Sequence, residues 1–570
     1  MTHPRWLSSF VVAITSLSLL ATVAPSTANS APVMPEKAYA HYDRTSAKEA
    51  ARVDRVPTPK ISWFKPSLGA GAFRLATVRL PRDYDRPHGP TVEIALAKLP
   101  ARKPEKRIGT LFVNPGGPGG SGVEMVRIAD MFVSDNIRDH FDIVGFDPRG
   151  GNSSTNVRCF TSVRSQSSAM QNLGLFPWNA EKRKKYLTAS RKTAQACSRV
   201  GKVTASSVST AEVARDMDVL RRAVGDKQLT YLGFSYGTYL GEVYANMFPD
   251  RFRAMALDGV INPNAWRGSK RTGSTPMSLR LKSGEADWKI LKHIFALCKQ
   301  AGPDYCSLSN PEATFNSVVR KLRARHYHYM GMVFDYGDLM LDLVTVLYDQ
   351  VAGPETIIDL LRIYDQLSGN PNPTAIKQLK KIRATAKNTA YDFIYDASLE
   401  SYLAVVCTDA VQPRDPGRWR TSIAKGKATA PHFGAVWGWQ DSSCATKYWK
   451  AKDEDRYTGR FDKNTKHPVL IVGNYYDPAT SYASAKQTHA IMPRSYLLSS
   501  GSWGHTAFGS SACVNDNIDN YLIYGTKPTS YCEPDYQPFA YPLDSTSRTS
   551  TQTARMTITA ASGLPKAAQQ

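Results

Sequence analysis

A serine, an aspartate and a histidine, each placed where a β-rich run gives way to a turn, are the residues whose types and spacing would do chemistry. Ser235 sits in Gly233-Phe234-Ser235-Tyr236-Gly237, after the run Leu229 to Leu232 and before Tyr239 to Phe248, where apolar residues recur at helical spacing. A serine hydroxyl attacks a carbonyl well when a tight strand-to-helix turn projects Oγ outward and leaves the next N–H at a helix start. Gly233 and Gly237 stand where a side chain would collide with that turn. In a chain with 38 glycines the pentapeptide alone says little, and a plain structural turn is the competing reading. The strand before it and the helix after it favour a nucleophile elbow.

A serine of ordinary acidity needs a base, and the base needs a carboxylate that orients it and stabilises its cation. Asp477 follows the run Val469 to Val472 through Gly473-Asn474-Tyr475-Tyr476. His505 follows Ser495 to Ser499 through Ser500-Gly501-Ser502-Trp503-Gly504, and of the 11 histidines it is the one with a glycine-rich loop behind a terminal strand. Asp258, after the strand-like run Phe252 to Leu257, is the rival acid.

A fourth feature precedes these. Gly109 to Val113 reads as a buried strand that opens into Asn114-Pro115-Gly116-Gly117-Pro118-Gly119-Gly120-Ser121-Gly122. Such glycine density suits either a phosphate cradle or a loop that offers a backbone N–H to an oxyanion. A phosphate loop would need Lys followed by Ser or Thr after its last glycine, and Ser121-Gly122-Val123 lacks it. The oxyanion loop is therefore preferred over the phosphate cradle and over a merely structural turn.

The elements that must position these residues alternate. Phe73 to Leu80 and Val92 to Leu99 alternate apolar with polar residues around a turn at Pro81 to Pro90, which predicts a hairpin. Val123 to Val133 predicts a helix, Phe141 to Phe146 a strand, and Asp147-Pro148-Arg149-Gly150-Gly151-Asn152-Ser153 a turn held by bonds between Asp147 and Arg149. Thr210 to Val224 predicts an amphipathic helix with Glu212, Arg215, Asp216 and Arg222 on its polar side. Strand and helix in alternation imply a mostly parallel α/β sheet.

From residue 264 to 460 the pattern becomes helical, as in Trp288 to Cys298, Phe315 to Leu322, Leu339 to Val351 and Thr356 to Leu367, with no convincing buried strand. The expected organisation is a secretory signal over residues 1–30, a pro-segment or mobile arm over 31–60 and a first core part over 61–263. A helical lid over 264–460, a closing core part over 461–540 and a disordered tail over 541–570 complete it. The signal is read from Arg5, the apolar segment Trp6 to Val23 and the small residues around Ala24 to Ala31.

Eight cysteines in a chain with such a leader read as bridges, and none has the C-x-x-C spacing of a metal site; H-E-x-x-H is absent as well. No metal or other cofactor is expected. Sequence proximity suggests Cys159 with Cys197, Cys298 with Cys306, Cys407 with Cys444 and Cys513 with Cys532. The formal charge of +23 raises nucleic acid as a partner, but the basic residues form short groups such as Lys182 to Lys185, not a stripe interleaved with aromatics. No later apolar run approaches the roughly 20 residues of a membrane helix.

Together, the block Asn114 to Gly122, the turn Asp147 to Ser153, the Ser235 pentapeptide, Asp477-Pro478-Ala479-Thr480 and Gly504-His505-Thr506 resemble the secreted tripeptidyl aminopeptidases of actinobacteria, relatives of the prolyl iminopeptidases. The closing segment with Cys513, Tyr521, Gly525 and Cys532 is similar to that family's carboxy-terminal region, and the resemblance runs from about Ser62 to Cys532. One departure is visible: many relatives have a cysteine pair in the stretch equivalent to Trp63 to Ala76, and this chain has none.

The resemblance implies an α/β-hydrolase core with a mostly parallel sheet and an inserted helical lid. It implies Ser235 as nucleophile, Asp477 as orienting acid and His505 as base, in the chain order this fold uses. N–H groups of Tyr236 and Gly117 would form the oxyanion hole, with Gly116 the fallback for Gly117. The implied activity is release of short, tripeptide units from peptides with a free amino terminus. Holding that terminus calls for lid carboxylates, and Glu400, Asp409, Asp392 and Asp396 are candidates, each competing with the reading of a solvated helix charge. An esterase or lipase on the same core, or an inactive envelope-binding module, would share much of this sequence.

Overall fold

Runs of β-branched and aromatic residues in this chain assemble one nine-stranded sheet. The computed structural model describes residues 41–66, 72–174, 176–385 and 395–543. The strands are β1 (Arg74–Pro81), β2 (Thr91–Leu99), β3 (Gly109–Asn114), β4 (Phe141–Phe146), β5 (Leu229–Phe234), β6 (Phe252–Asp258), β7 (Tyr327–Tyr329), β8 (Met332–Phe334), β9 (Val469–Tyr476), β10 (Ser495–Trp503) and β11 (Tyr531–Cys532). All but β7 and β8 lie in the main sheet, in the order β1-β2-β4-β3-β5-β6-β9-β10-β11. The β1/β2 and β2/β4 pairs are antiparallel and the others parallel.

Successive side chains on a strand point to opposite faces, so each strand feeds two cores. Phe112, Tyr231, Leu257 and Ile471 enter one, which the helices Thr210–Ala223 and Tyr236–Met247 cover. Leu111, Val113, Leu232, Ala256 and Val472 enter the other, against the helices Gly122–Arg127 and Ala512–Tyr524. Burial on both faces explains why β5, β6 and β9 read as near-continuous apolar runs.

Register places the chemistry. Asn114 pairs with Gly233, Phe234 with Asp258, Asp258 with Val472, and Tyr476 with Trp503. The carboxyl ends of β3, β5, β6, β9 and β10 therefore open side by side, the edge at which α/β sheets bind ligands. The helices of the 264–460 segment build a separate apolar core around Leu291, Phe315, Leu343, Leu361 and Trp419.

Several expectations change. The helix expected over 123–133 ends at Arg127, a short 3-10 turn follows at Ala129–Met131, and Ser134 caps a new helix at Asp135–His140. Three helices, Val163–Met170, Ala180–Cys197 over the basic group Lys182 to Lys185, and Lys202–Ala205, lie between β4 and the 210–223 helix. The strand-to-turn boundaries near Asp477 and His505 move: β9 and β10 run on to Tyr476 and Trp503 because they pair that far, across an irregularity between Ser500 and Trp503. Within the helical segment β7 and β8 form a small hairpin turned by Met330 and Gly331, both at positive φ, and most of its residues reach solvent.

The polar side of the 210–223 helix is not solvated, because Glu212, Arg215 and Asp216 are all buried. Arg149 explains it: its guanidinium bonds Asp216 at 2.6 and 2.7 Å and Glu212 at 3.0 Å, and the carbonyls of Pro81, Arg82 and Ser207 besides. Asp147 has separate partners, Ser121 Oγ at 2.6 Å, the Ser153 N–H at 2.9 Å and the Val123 N–H at 3.2 Å, so the expected Asp147–Arg149 bonding gives way to two distinct networks.

Part of the segment expected as a pro-segment or arm is a helix, Ala47–Asp54, capped by Ser46. It docks through Arg52, which bonds Glu49 and Asp85, and through Glu49, which bonds Arg215. The expected signal over 1–30 and the tail from 544 onward lie outside the described residues. Four disulfides join Cys159–Cys197, Cys298–Cys306, Cys407–Cys444 and Cys513–Cys532, the pairs that proximity suggested. Among the described residues no helix is long and apolar enough to cross a membrane.

Candidate active site

Ser235 has φ +54° and ψ −123°, a conformation an L-residue holds only under constraint. The constraint is visible on both sides. A Cβ on Gly233 would lie 2.5 Å from the Tyr231 ring and 2.6 Å from the Gly237 carbonyl oxygen, and one on Gly237 would lie 2.8 Å from the Asn114 carbonyl. From Leu229 to Pro249 every residue except Ser235 is buried. The tight turn thus leaves one half-buried residue in an otherwise closed strand and helix.

Asp477 begins the turn after β9. Its Oδ1 accepts the N–H groups of Ala479 and Thr480 at 2.9 and 2.8 Å, and its Oδ2 accepts the Thr480 hydroxyl at 2.9 Å. Both oxygens also lie 3.0 Å from His505 Nδ1. The opposite ring nitrogen, Nε2, is buried and has no protein partner, and among the described residues the Ser235 hydroxyl makes no hydrogen bond. The imidazole is thus oriented by its carboxylate with one nitrogen left over. Hydrogen bonds between nucleophile and base are often long in empty sites and tighten when substrate binds.

The histidine loop is held from several directions. The His505 N–H donates to the Tyr348 carbonyl at 3.2 Å, and the Tyr348 ring meets the imidazole edge-on with centroids 5.0 Å apart. Gln350 Nε2 reaches the carbonyls of His505 and Thr506 at 3.0 and 2.9 Å, and Asn474 Nδ2 reaches the Thr506 carbonyl at 2.7 Å. Tyr348 and Gln350 belong to the inserted helical segment, which therefore clamps the loop.

Asp258, the rival acid, bonds elsewhere. Its Oδ2 accepts the Ala507 and Phe508 N–H groups at 2.9 and 2.8 Å, and burial pushes its carboxyl up to about 6. Geometry places Asp477, and not Asp258, on the imidazole.

The glycine loop lies against the elbow. A Cβ on Gly116 would be 2.4 Å from the Phe234 carbonyl oxygen and 2.9 Å from the Tyr236 nitrogen. The Gly116 N–H is committed to Asn114 Oδ1 at 2.9 Å. Those of Gly117 and Tyr236 meet no protein acceptor among the described residues. Gly117 and Ser235 share a cavity of about 70 Å³ whose walls are Ile261, Trp266, Met277, Leu281, Val344, Tyr348, Tyr402 and Trp437, with Gln440 and Thr480 among its polar groups.

None of the lid carboxylates named from sequence lines this cavity. Glu400 and Asp409 are buried, not solvated: Glu400 accepts the Tyr395 hydroxyl at 2.6 Å, and Asp409 accepts Thr210 Oγ1 at 2.5 Å and Trp266 Nε1 at 3.3 Å. Asp396 caps the turn into the Ser398–Asp409 helix, and Asp392 lies outside the described residues. Sequence reading missed Tyr348, Gln350, Asn474 and Asp287. The last is a fully buried carboxylate that accepts Trp437 Nε1 at 2.6 Å, with its other oxygen unpartnered. Only Thr480 had left a signal, as the fourth residue of an Asp-initiated turn.

A family model described as "alpha/beta hydrolase fold" matches residues 109–270, and one described as "TAP-like protein" matches residues 430–533. With the sheet order above, these define the chain as a serine hydrolase of the α/β-hydrolase fold. A tripeptidyl aminopeptidase of Streptomyces lividans is 29% identical over 462 residues, 79% of this chain and 81% of that protein. Serine protease Hip1 of Mycobacterium tuberculosis is 28% identical over 81% of this chain and 87% of its own length. A protein named Carboxylesterase B from the same organism is 29% identical over 80% of this chain and 85% of its own. The chain has the α/β-hydrolase fold and is similar in sequence to the tripeptidyl aminopeptidases.

Proposed function

We propose that this protein is a secreted serine exopeptidase that releases short, tripeptide units from the free amino terminus of peptides, with Ser235 as nucleophile, His505 as base and Asp477 as orienting acid. The observation that supports it most is the approach of His505 Nδ1 to both oxygens of Asp477, at the sheet edge where Ser235 is the one residue of its elbow not fully buried. In this reading His505 Nε2 takes the hydroxyl proton as Oγ attacks the scissile carbonyl. The N–H groups of Gly117 and Tyr236 hold the oxyanion. The same nitrogen then protonates the leaving amine, and water hydrolyses the acyl-enzyme. Four disulfides support an oxidising compartment.

Two buried carboxylates lie behind the cavity wall without reaching it. Asp409 stands behind Trp266 and Asp287 behind Trp437, and both indoles form cavity wall. A second reading, an esterase on the same core, is favoured by the apolar walls and by the relative named Carboxylesterase B.

Hydrolysis of an unblocked tripeptide anilide, of its amino-acylated form and of a simple aryl ester separates the two. Cleavage of the first with the second refused is the expected outcome. Equal rates on the two anilides overturn the exopeptidase reading, and turnover of the ester alone establishes the esterase.

A further inference from the structure

We propose that a polar recess beside the Ser235 cavity is a carboxylate subsite that takes an anionic group of the leaving peptide; the proposal rests on the peptidase reading of Ser235. The recess has a volume of about 360 Å³ and shares two wall residues, Ser278 and Trp437, with the cavity of about 70 Å³. One stretch of chain divides them: Leu281 and Ser283 line the cavity, while Lys282, Gly284 and Glu285 line the recess. The smaller space seats about one side chain, so a bound peptide must continue beyond it, and the recess is the adjoining space.

Charge decides which part of a peptide belongs there. Lys282, Arg418 and Lys425 line the recess, with Glu285 as its carboxylate. Glu285 lies 3.8 Å from Lys282, while Arg418 and Lys425 make no ion pair among the described residues. Lys282 is also held at φ +64°, in the left-handed region that a residue with a side chain rarely occupies. A wall with this excess of cations repels the α-ammonium of a substrate and attracts a carboxylate, from the peptide's own carboxyl terminus or from an Asp or Glu side chain on the leaving side.

The test compares kcat/KM for two pairs of peptides that are identical up to the cleaved bond. In one pair the leaving part ends in a free carboxylate or an amide; in the other the end is amidated and the leaving part contains Glu or Gln. The wild type is expected to prefer the carboxylate member of at least one pair by about threefold to tenfold at low ionic strength, the range two exposed ion pairs supply. The preference should shrink towards one at high salt and in Arg418→Gln/Lys425→Gln, whose substitutions are exposed and whose melting curve checks the fold. Preference in the first pair alone assigns the terminal carboxylate, and in the second alone the acidic side chain. No preference in either pair, or one undiminished in the double variant, overturns the proposal. If no peptide is cleaved, the peptidase reading falls separately, and the recess is judged by equilibrium binding of the same peptides to Ser235→Ala; equal affinity within both pairs then overturns it.

Discussion

Asp258 is tied to Ser235 through its backbone and to the loop beyond His505 through its side chain. The Ser235 N–H donates to the Asp258 carbonyl at 3.0 Å, while Asp258 Oδ2 accepts the N–H groups of Ala507 and Phe508. One buried residue at the end of β6 therefore fixes the distance between the elbow and the histidine loop. Asp258→Ala leaves two buried N–H groups without acceptors, at roughly 1–3 kcal/mol each. The expected result is a melting temperature lowered by several degrees together with a fall in kcat. An unchanged kcat would show that the histidine loop is held without Asp258.

Ser235→Ala should abolish labelling by a fluorophosphonate probe and hydrolysis of every substrate. Asp477→Asn should keep the fold yet lower kcat by on the order of 10³–10⁴, because the amide cannot stabilise the imidazolium or enforce its tautomer. Labelling of Ser235→Ala at the wild-type rate would place the nucleophile elsewhere.

Gly116→Ala puts a methyl group against the Phe234 carbonyl and the Tyr236 nitrogen, at a residue with φ +91°. Both the contact and the dihedral oppose it. Activity is expected to fall at least tenfold through displacement of the elbow, read as a loss in kcat with folded protein still present by circular dichroism. Gly225→Ala is the control: it shares the positive φ, but nothing lies within 4 Å, so it should cost stability and leave kcat in place.

Arg149 is the shared partner of Glu212 and Asp216 in a site closed to solvent. Arg149→Ala leaves buried Asp216 without its cation and Glu212 with Arg215 alone, and should destabilise by about 3–5 kcal/mol, measured by denaturant titration. Arg79→Ala, which breaks an exposed pair with Glu93, should cost less than about 1 kcal/mol.

Glu400 supplies a pH test. Burial pushes its carboxyl from 4.5 up to about 7, partly offset by the Tyr395 hydroxyl. A raised folded-state value means that the folded protein holds this proton more tightly than the unfolded chain. The stabilisation is complete below pH about 4.5 and is lost as pH rises through about 7, up to about 3 kcal/mol in all. Glu400→Gln cannot titrate. Its melting temperature relative to wild type should therefore rise between pH 5 and pH 8, and a constant difference would refute the shift.

The sequence by itself determined the parts that depend on local pattern. Strands buried on both faces announce themselves as apolar runs, and the glycines at 233 and 237 mark a turn because backbone and ring atoms occupy the space of a side chain there. Ser235, Asp477 and His505 stood out because each ends such a run, and cysteine proximity was enough to pair all eight. What only the tertiary structure decided depends on which surfaces meet. The 210–223 helix has an amphipathic pattern, yet its charged side is buried, since Arg149 from a distant turn supplies the counter-charge. Asp258 and Asp477 look alike in sequence, each an aspartate after a strand; register alone turns one to the imidazole and the other to two backbone amides. Tyr348 and Gln350 clamp the histidine loop from a helical segment far away in sequence, and no local pattern encodes a contact between surfaces that meet only when the chain has folded.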